Sequence, residues 1–371
     1  MSLIIEEVRC WLVDIPTIRP HKLSMTTMGT QTLMLVRLRC QQGIIGWGEG
    51  TTIGGLGYGV ESPESMKITI ERYLAPLLVG KPLSGLSALN DVMAMVRGNT
   101  FAKSAMETAF LDAYGKLVNQ PISSLLGGAK HSALPALWTL ASGSTQQDIE
   151  EGQRLLACGR HRAFKLKIGA KAVEEDVRHA VQIKQTLGET VHVHVDVNQG
   201  WTLAQALWAI PRLQEVGITL IEQPIALTET AQLVDLAKRF TTTLLADEAV
   251  TDAKQGIDLI RQGFTGAFAL KIAKAGGPFQ ALKLAHVAEA AGISLYGGTM
   301  LEGTIGTVAA LHAWSTLSLE WGTEMFGPLL LKDDVVTQPL VYQSGCVILP
   351  EGPGLGIDVD EDKLLHYARP E

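Results

Sequence analysis

Polar and mostly ionisable residues recur at the ends of short β-rich runs. Lys165 and Lys167 lie in FKLKIG, Asp196 and Asn198 in VHVHVDVNQGW, Glu222 in LIEQP, Asp247 in LLADE, Lys271 in ALKIAK and Glu324 in WGTEMFGP. The intervals starting from Lys165 are 31, 26, 25 and 24 residues, then 53 to Glu324, about two units. Neighbouring strands lie about 4.8 Å apart. Asp196, Glu222 and Asp247, ending three successive strands, can therefore converge on one cation. An all-oxygen set without Cys or His selects a hard ion, Mg²⁺ or Mn²⁺. Without a cation the three anions would raise one another's pKa. Lys165 and Lys167 precede this set and Lys271 follows it. An ammonium beside a metal and a second ammonium is pushed down in pKa and can exchange protons near neutrality. A metal holding a carboxylate stabilises the charge that develops on it. The chemistry expected is proton transfer next to a substrate carboxylate.

Such a rim needs a scaffold. From Leu134 onward, β-rich segments alternate with helix-length amphipathic ones: 134–140, 163–168, 191–197, 219–221, 243–246, 267–272, 293–296 and about 319–323. Alternation of this kind predicts βαβ units and a parallel sheet, and eight strands predict a closed barrel with its site on the carboxyl rim. No GxGxxG follows the first strand, which argues against an open dinucleotide-binding sheet. In VHVHVDVN the valines 191, 193, 195 and 197 share one face and His192, His194, Asp196 and Asn198 the other. The valines should face the helices. The two histidines should fill the barrel below Asp196, and Glu248 should point away from the site. The first fifty residues read as a β meander, with Gln41-Gln42-Gly43 as a hairpin turn. Ser62-Pro63-Glu64 signals a helix start and a second helix spans about 101–117. Lys103 and Asp112 read as helix-surface residues and Trp201 as loop packing.

The chain resembles the muconate cycloisomerases of the muconate-lactonizing branch of the enolase superfamily. The likeness is carried by WTLASG (138–143), FKLKIGA (164–170), VDVNQGW (195–201), LIEQPI (220–225), FALKIAKAGGP (268–278), YGGTMLEGTIGT (296–307) and EMFGPLLL (324–331). TTIGGLGYG (51–59) and RGNTFAKSA (97–105) extend it over essentially the whole chain. The resemblance implies an α/β fold: a modified TIM-type (β/α)7β barrel over residues 132–332, an α+β capping domain over 1–131, and a C-terminal segment 333–371 that completes it. It implies metal ligands at Asp196, Glu222 and Asp247, Lys167 as the proton-transferring lysine assisted by Lys165, Lys271 as the opposite lysine, and Glu324 as a supporting acid. Loops around 23–27 and 51–59 would cover the site, with Ile53, Tyr58 and Asn198 contacting substrate. The reaction implied is reversible lactonization of cis,cis-muconate to muconolactone, a step of catechol degradation. Mn²⁺ is the usual ion, with Mg²⁺ the alternative, and relatives form homo-oligomers, often octamers. MLEGT (300–304) stands where chloromuconate-processing relatives read MLDST, which favours plain muconate. Relatives acting on succinylbenzoate or dipeptides share the lysines and carboxylates but not the continuous likeness.

Two other function classes fit single features. A Schiff-base lyase needs a strand-end lysine but not three carboxylates, and borohydride would trap it. An anion-binding barrel would tolerate Lys167→Ala with a change in affinity alone. Composition removes further classes. The 371 residues carry a net charge of −7, so a nucleic-acid surface is not expected. There is no apolar run long enough to span a membrane. The acidic start MSLIIEE lacks the pattern of a signal peptide. Four scattered cysteines without a CxxC read as free thiols in a reducing compartment, which predicts the cytoplasm.

Overall fold

The computed structural model describes residues 2–370. Strands β1 (Leu3–Lys22) and β2 (Thr27–Cys40) form a long antiparallel hairpin. β3 (Ile45–Thr51) adds to β2, and β4 (Pro82–Leu83) pairs with the start of β1. The β2–β3 turn is Gln41–Gly43, with Gln42 and Gly43 at φ of 63° and 73°. Helix Thr100–Val118 packs on β3. A Cβ on Gly48 would sit 2.0 Å from the Ala105 carbonyl oxygen, so glycine is what permits this approach. Ser62 caps helix Pro63–Thr69 in a reciprocal capping box with Ser65.

The expected strand over 134–140 is two strands. β5 (Ala133–Pro135) and β6 (Trp138–Leu140) part at Ala136–Leu137. β6 opens a seven-stranded parallel sheet that continues in chain order. Its other members are β7 (Ala163–Lys167), β8 (His192–Asp196), β9 (Leu220–Glu222), β10 (Thr243–Ala246), β11 (Ala267–Leu270) and β12 (Ser294–Gly297). Helices connect these strands; Val193, Val195 and Val197 are fully buried against them. The eighth strand expected over 319–323 is reduced to one residue. Thr323 bridges Gly297 on one side and Ala136 on the other. Its amide donates to the Pro135 carbonyl at 2.9 Å, its carbonyl accepts from Leu137 N at 2.9 Å, and Glu324 N donates to the Gly297 carbonyl at 2.8 Å. These bonds join both edges of the sheet into a ring. Gly322, at φ 69°, turns the chain just before and prevents a longer strand. The last barrel helix is one turn, Gly327–Leu330.

β13 (Tyr342–Gln343) and β14 (Cys346–Ile348) pair antiparallel, and β14 pairs with β5. The tail then returns to the N-terminal sheet. Ala368 bridges Val13, Arg369 N donates to the Leu12 carbonyl at 2.8 Å, and the Arg369 guanidinium meets Asp14 at 2.6 Å. Asp112 is not a helix-surface residue but fully buried. Its Oδ1 accepts from Leu355 N and its Oδ2 from Trp47 N and Lys116, because helix Thr100–Val118 is covered on every side. Lys103 is half-buried and donates to the Val96 carbonyl. Among the described residues no helix is long and apolar enough to cross a membrane.

Candidate active site

The rim residues arrive in pairs fixed by strand register. Lys167 pairs with Asp196 across β7 and β8, and Asp196 with Glu222 across β8 and β9. Alternation puts Lys165 and Lys167 on the same side, so two ammoniums meet the carboxylate row. Asp247 follows β10 directly, Lys271 follows β11, and Glu324 follows the Thr323 bridge. The structure thus brings Lys165, Lys167, Asp196, Glu222, Asp247, Lys271 and Glu324 to one rim.

Within it the ammoniums interleave with the carboxylates. Lys165 Nζ lies 2.6 Å from Glu222 Oε2, 2.7 Å from Glu324 Oε2 and 3.2 Å from Asp196 Oδ2. Lys167 Nζ donates to Asp196 Oδ2 at 2.5 Å. Lys271 Nζ donates to Asp247 Oδ2 at 2.7 Å and to the Tyr58 hydroxyl at 3.1 Å, and that hydroxyl donates to Asp247 Oδ2 at 2.8 Å. Thr139 and Tyr296 hydroxyls both donate to Glu324 at 3.3 Å. Backbone geometry at the rim is special: Asn198, Gln199 and Gln223 have φ of 44°, 68° and 35°. The Gln223 amide oxygen supports the turn by accepting from Asp247 N and Ala249 N, both at 3.1 Å.

The charges follow these neighbours. Burial and then Asp196 push Glu222 up to about 8. Asp196 and Asp247 are buried too, but Lys167 and Lys165 hold Asp196 low, and Lys271 and Lys274 hold Asp247 low. Burial opposes the charge on Lys165 and Lys271, yet the surrounding carboxylates keep both above the ordinary lysine value. In this arrangement Lys165 and Lys271 each sit against carboxylates.

Five neighbours lie outside the sequence-based expectations. Lys274 donates to Asp247 Oδ1 at 2.6 Å from the short helix Ile272–Ala275. Glu248 turns towards the site rather than away: Asn198 Nδ2 donates to its Oε1 at 3.3 Å, and burial with Asp247 and Asp196 pushes it up to about 7. His21 is fully buried. Thr299 and Leu301 line a cavity with His21. His194 lies buried below Asp196, held down to about 3 by burial and Lys165, whereas His192 is exposed at the strand's start. Trp201 is buried in loop packing.

A small cavity lies between the rim and the N-terminal sheet. Ile53, Tyr58, Asn198, Lys167, Lys271 and Glu324 face it, together with His21, Leu23 and Met25. As the side chains lie, no three His, Cys, Asp or Glu residues among those described form a compact metal cluster. The donor chemistry still suits a hard cation. Three carboxylates end successive strands, and Glu222 Oε1 is buried without a hydrogen-bond partner.

Residues 7–127 match the family described as mandelate racemase/muconate lactonizing enzyme, N-terminal domain, and 147–363 match the enolase C-terminal domain-like family. The chain is 50% identical to muconate cycloisomerase 1 of Pseudomonas putida, over 99% of each chain. The chain belongs to the muconate cycloisomerase family of the enolase superfamily. Solved muconate lactonizing enzymes superpose closely. That of Klebsiella pneumoniae gives a TM-score of 0.94 at 56% identity, covering 99% of this chain and 100% of that one. That of Pseudomonas fluorescens, complexed with muconolactone, gives 0.98 at 51%, covering both chains fully. The chloromuconate cycloisomerase of Pseudomonas sp. strain P51 is more distant, 42% identical over 98% of this chain and 99% of that one. As a member of the muconate cycloisomerase family the protein is an isomerase, and membership implies a divalent metal ion.

Proposed function

We propose that this protein catalyses the reversible lactonization of cis,cis-muconate to muconolactone in aromatic (catechol) catabolism. The observation that carries the reading is the rim itself: three carboxylates on successive strands with Lys167 at one end of the row and Lys271 at the other. The greater identity to muconate than to chloromuconate cycloisomerases supports the unsubstituted substrate. Asp196, Glu222 and Asp247 would hold Mn²⁺, or Mg²⁺ in its place. When bound, the ion supplies electrostatic stabilisation to negative charge developing on a substrate carboxylate.

The remaining work falls to the chain's own side chains. One substrate carboxylate oxygen adds across the conjugated double bond and the C–O bond of the lactone forms. The displaced electron pair moves towards the other carboxylate, producing an enolate, and Lys167 Nζ donates a proton to the adjacent carbon. In reverse, the neutral Lys167 amine removes that proton. Lys165, bonded to Glu222 and Glu324, keeps the rim anions compensated and oriented. Lys271 sets the opposite wall, held by Asp247 and Tyr58. Glu324 supports the developing charge pattern, and Ile53, Tyr58 and Asn198 shape the space around a small dicarboxylate. A cytoplasmic homo-oligomer, with an octamer as one form, accompanies this reading on family resemblance.

The test is loss of cis,cis-muconate ultraviolet absorbance by purified protein with Mn²⁺, with Mg²⁺, and with excess chelator, beside 3-chloromuconate. Metal-dependent conversion of muconate, with the chloro compound slower, is expected. No conversion of muconate under any of these conditions refutes the reading.

A further inference from the structure

Every polar side chain lining the central cavity but one is already engaged within the protein. Lys167 bonds Asp196, Lys271 bonds Asp247, Tyr58 bonds Asp247, Asn198 bonds Glu248, Thr299 bonds Glu302 and Glu324 bonds Lys165. The exception is His21. Its side chain is fully buried, and both Nδ1 and Nε2 lack a hydrogen-bond partner. Burying two polar ring atoms without partners costs stability, and native interiors avoid it unless something else is gained. The ring is delivered to the cavity by the end of β1. There His21 pairs with Met28, and Lys22 N donates to the Ala141 carbonyl at 3.0 Å, pinning the strand to the barrel rim. Its ring neighbour is Phe326, at 6.2 Å between centroids, which offers no hydrogen bond.

Building on the reaction proposed above, we propose that His21 is a substrate-binding residue whose imidazole N–H donates to the substrate carboxylate that is not held at the Asp196–Glu222–Asp247 rim. A dicarboxylate has two anionic ends, and the rim accounts for one. The second requires a donor not already bonded to an acceptor within the protein, and the unengaged imidazole is the cavity group that meets this. Burial and the cationic Arg19, Lys167 and Lys165 hold the ring well below the usual histidine range. A neutral ring has one N–H to give, and the same cations favour an anion beside it.

The experiment compares wild type with His21→Phe, His21→Leu and His21→Gln in the metal-loaded enzyme. Measured are kcat and KM for muconate, inhibition by adipate (two carboxylates) and hexanoate (one), and the melting temperature. Expected for His21→Phe is a KM raised about tenfold or more and adipate inhibition weakened to match. Hexanoate inhibition stays within twofold and the melting temperature is unchanged or higher, since the unpaired polar ring is gone. His21→Gln recovers part of the loss through its amide N–H. His21→Leu repeats the test should the phenyl ring fail to fit. A folded Phe or Leu variant with KM within twofold of wild type overturns the inference, as does equal weakening of adipate and hexanoate. Wild type without muconate turnover overturns the functional reading and this inference with it, whereas an active wild type with silent variants overturns the inference alone.

Discussion

Gly298 controls where Lys271 can stand. A Cβ at this position would lie 2.9 Å from Lys271 Cε, 3.0 Å from its Cγ and 3.2 Å from the Leu270 carbonyl oxygen. Ordinary carbon–carbon contact is about 3.5–4.0 Å, so in Gly298→Ala the lysine stem must retreat by roughly 0.6 Å or more. At the end of that stem Nζ makes its bonds to Asp247 (2.7 Å) and Tyr58 (3.1 Å). Misplacing a catalytic contact by about 1 Å costs on the order of 100-fold, so kcat should fall by about 10- to 100-fold. The fold should survive: Gly298 is outside the left-handed region and the chief clash is with a flexible chain, at an overpacking cost of about 1–3 kcal/mol. The assay is muconate turnover at saturating metal, with circular dichroism and thermal melting as folding controls. A folded Gly298→Ala enzyme with kcat within twofold of wild type would refute the placement of Lys271 as a functional requirement.

Lys167→Ala should lose at least about 100-fold in kcat while still binding the metal, and a loss confined to KM would point to simple anion binding instead. Burial pushes Glu107 up to about 7 from 4.5. The folded state then keeps a proton between those values that the unfolded state releases, so this group's contribution is present below about 4.5 and is lost as pH rises through 7. Glu107→Gln, which does not titrate, should therefore gain on wild type by on the order of 3 kcal/mol between pH 4.5 and 8 in urea melts, and a pH-independent difference would contradict this. Cys10 and Cys40 are buried and pushed up to about 12, whereas Cys158 is exposed. Ellman's reagent should label Cys158 in the native protein and reach Cys10 and Cys40 only in denaturant; rapid labelling of Cys10 would show that the N-terminal sheet opens.

The lysine and carboxylate rim was legible because strand alternation is local. In FKLKIG and VHVHVDVN the period-two pattern alone sorts Lys165, Lys167, His194 and Asp196 from the apolar face. What could not be read depends on distant partners. The break between β5 and β6 exists because β14, some 200 residues later, captures Ala133–Pro135. The segment 319–323 reads as a strand, yet Gly322 and the two flanking edges leave bridge pairing for Thr323 alone. Lys274 reaches Asp247 from a four-residue helix too short to show periodicity. Glu248 follows Asp247 directly, and strand alternation sends it away; the chain has already left β10 at Ala246, so that alternation no longer applies. His21 sits in a strand read correctly, but nothing in PHKL signals that its ring meets the barrel's mouth.

The tail's return to β1 also governs the order of events during synthesis. Asp14 and Arg369 are 355 residues apart, and Ala368 bridges Val13 in the same place. A ribosome releases the whole barrel before these tail residues emerge, at rates that leave the N-terminal sheet waiting many seconds for its last contacts. The hairpin whose tip covers the cavity is thus the hairpin whose middle is secured last. A nascent chain can possess a complete rim of lysines and carboxylates while its cover is still unfastened, so competence for catalysis should lag behind formation of the barrel.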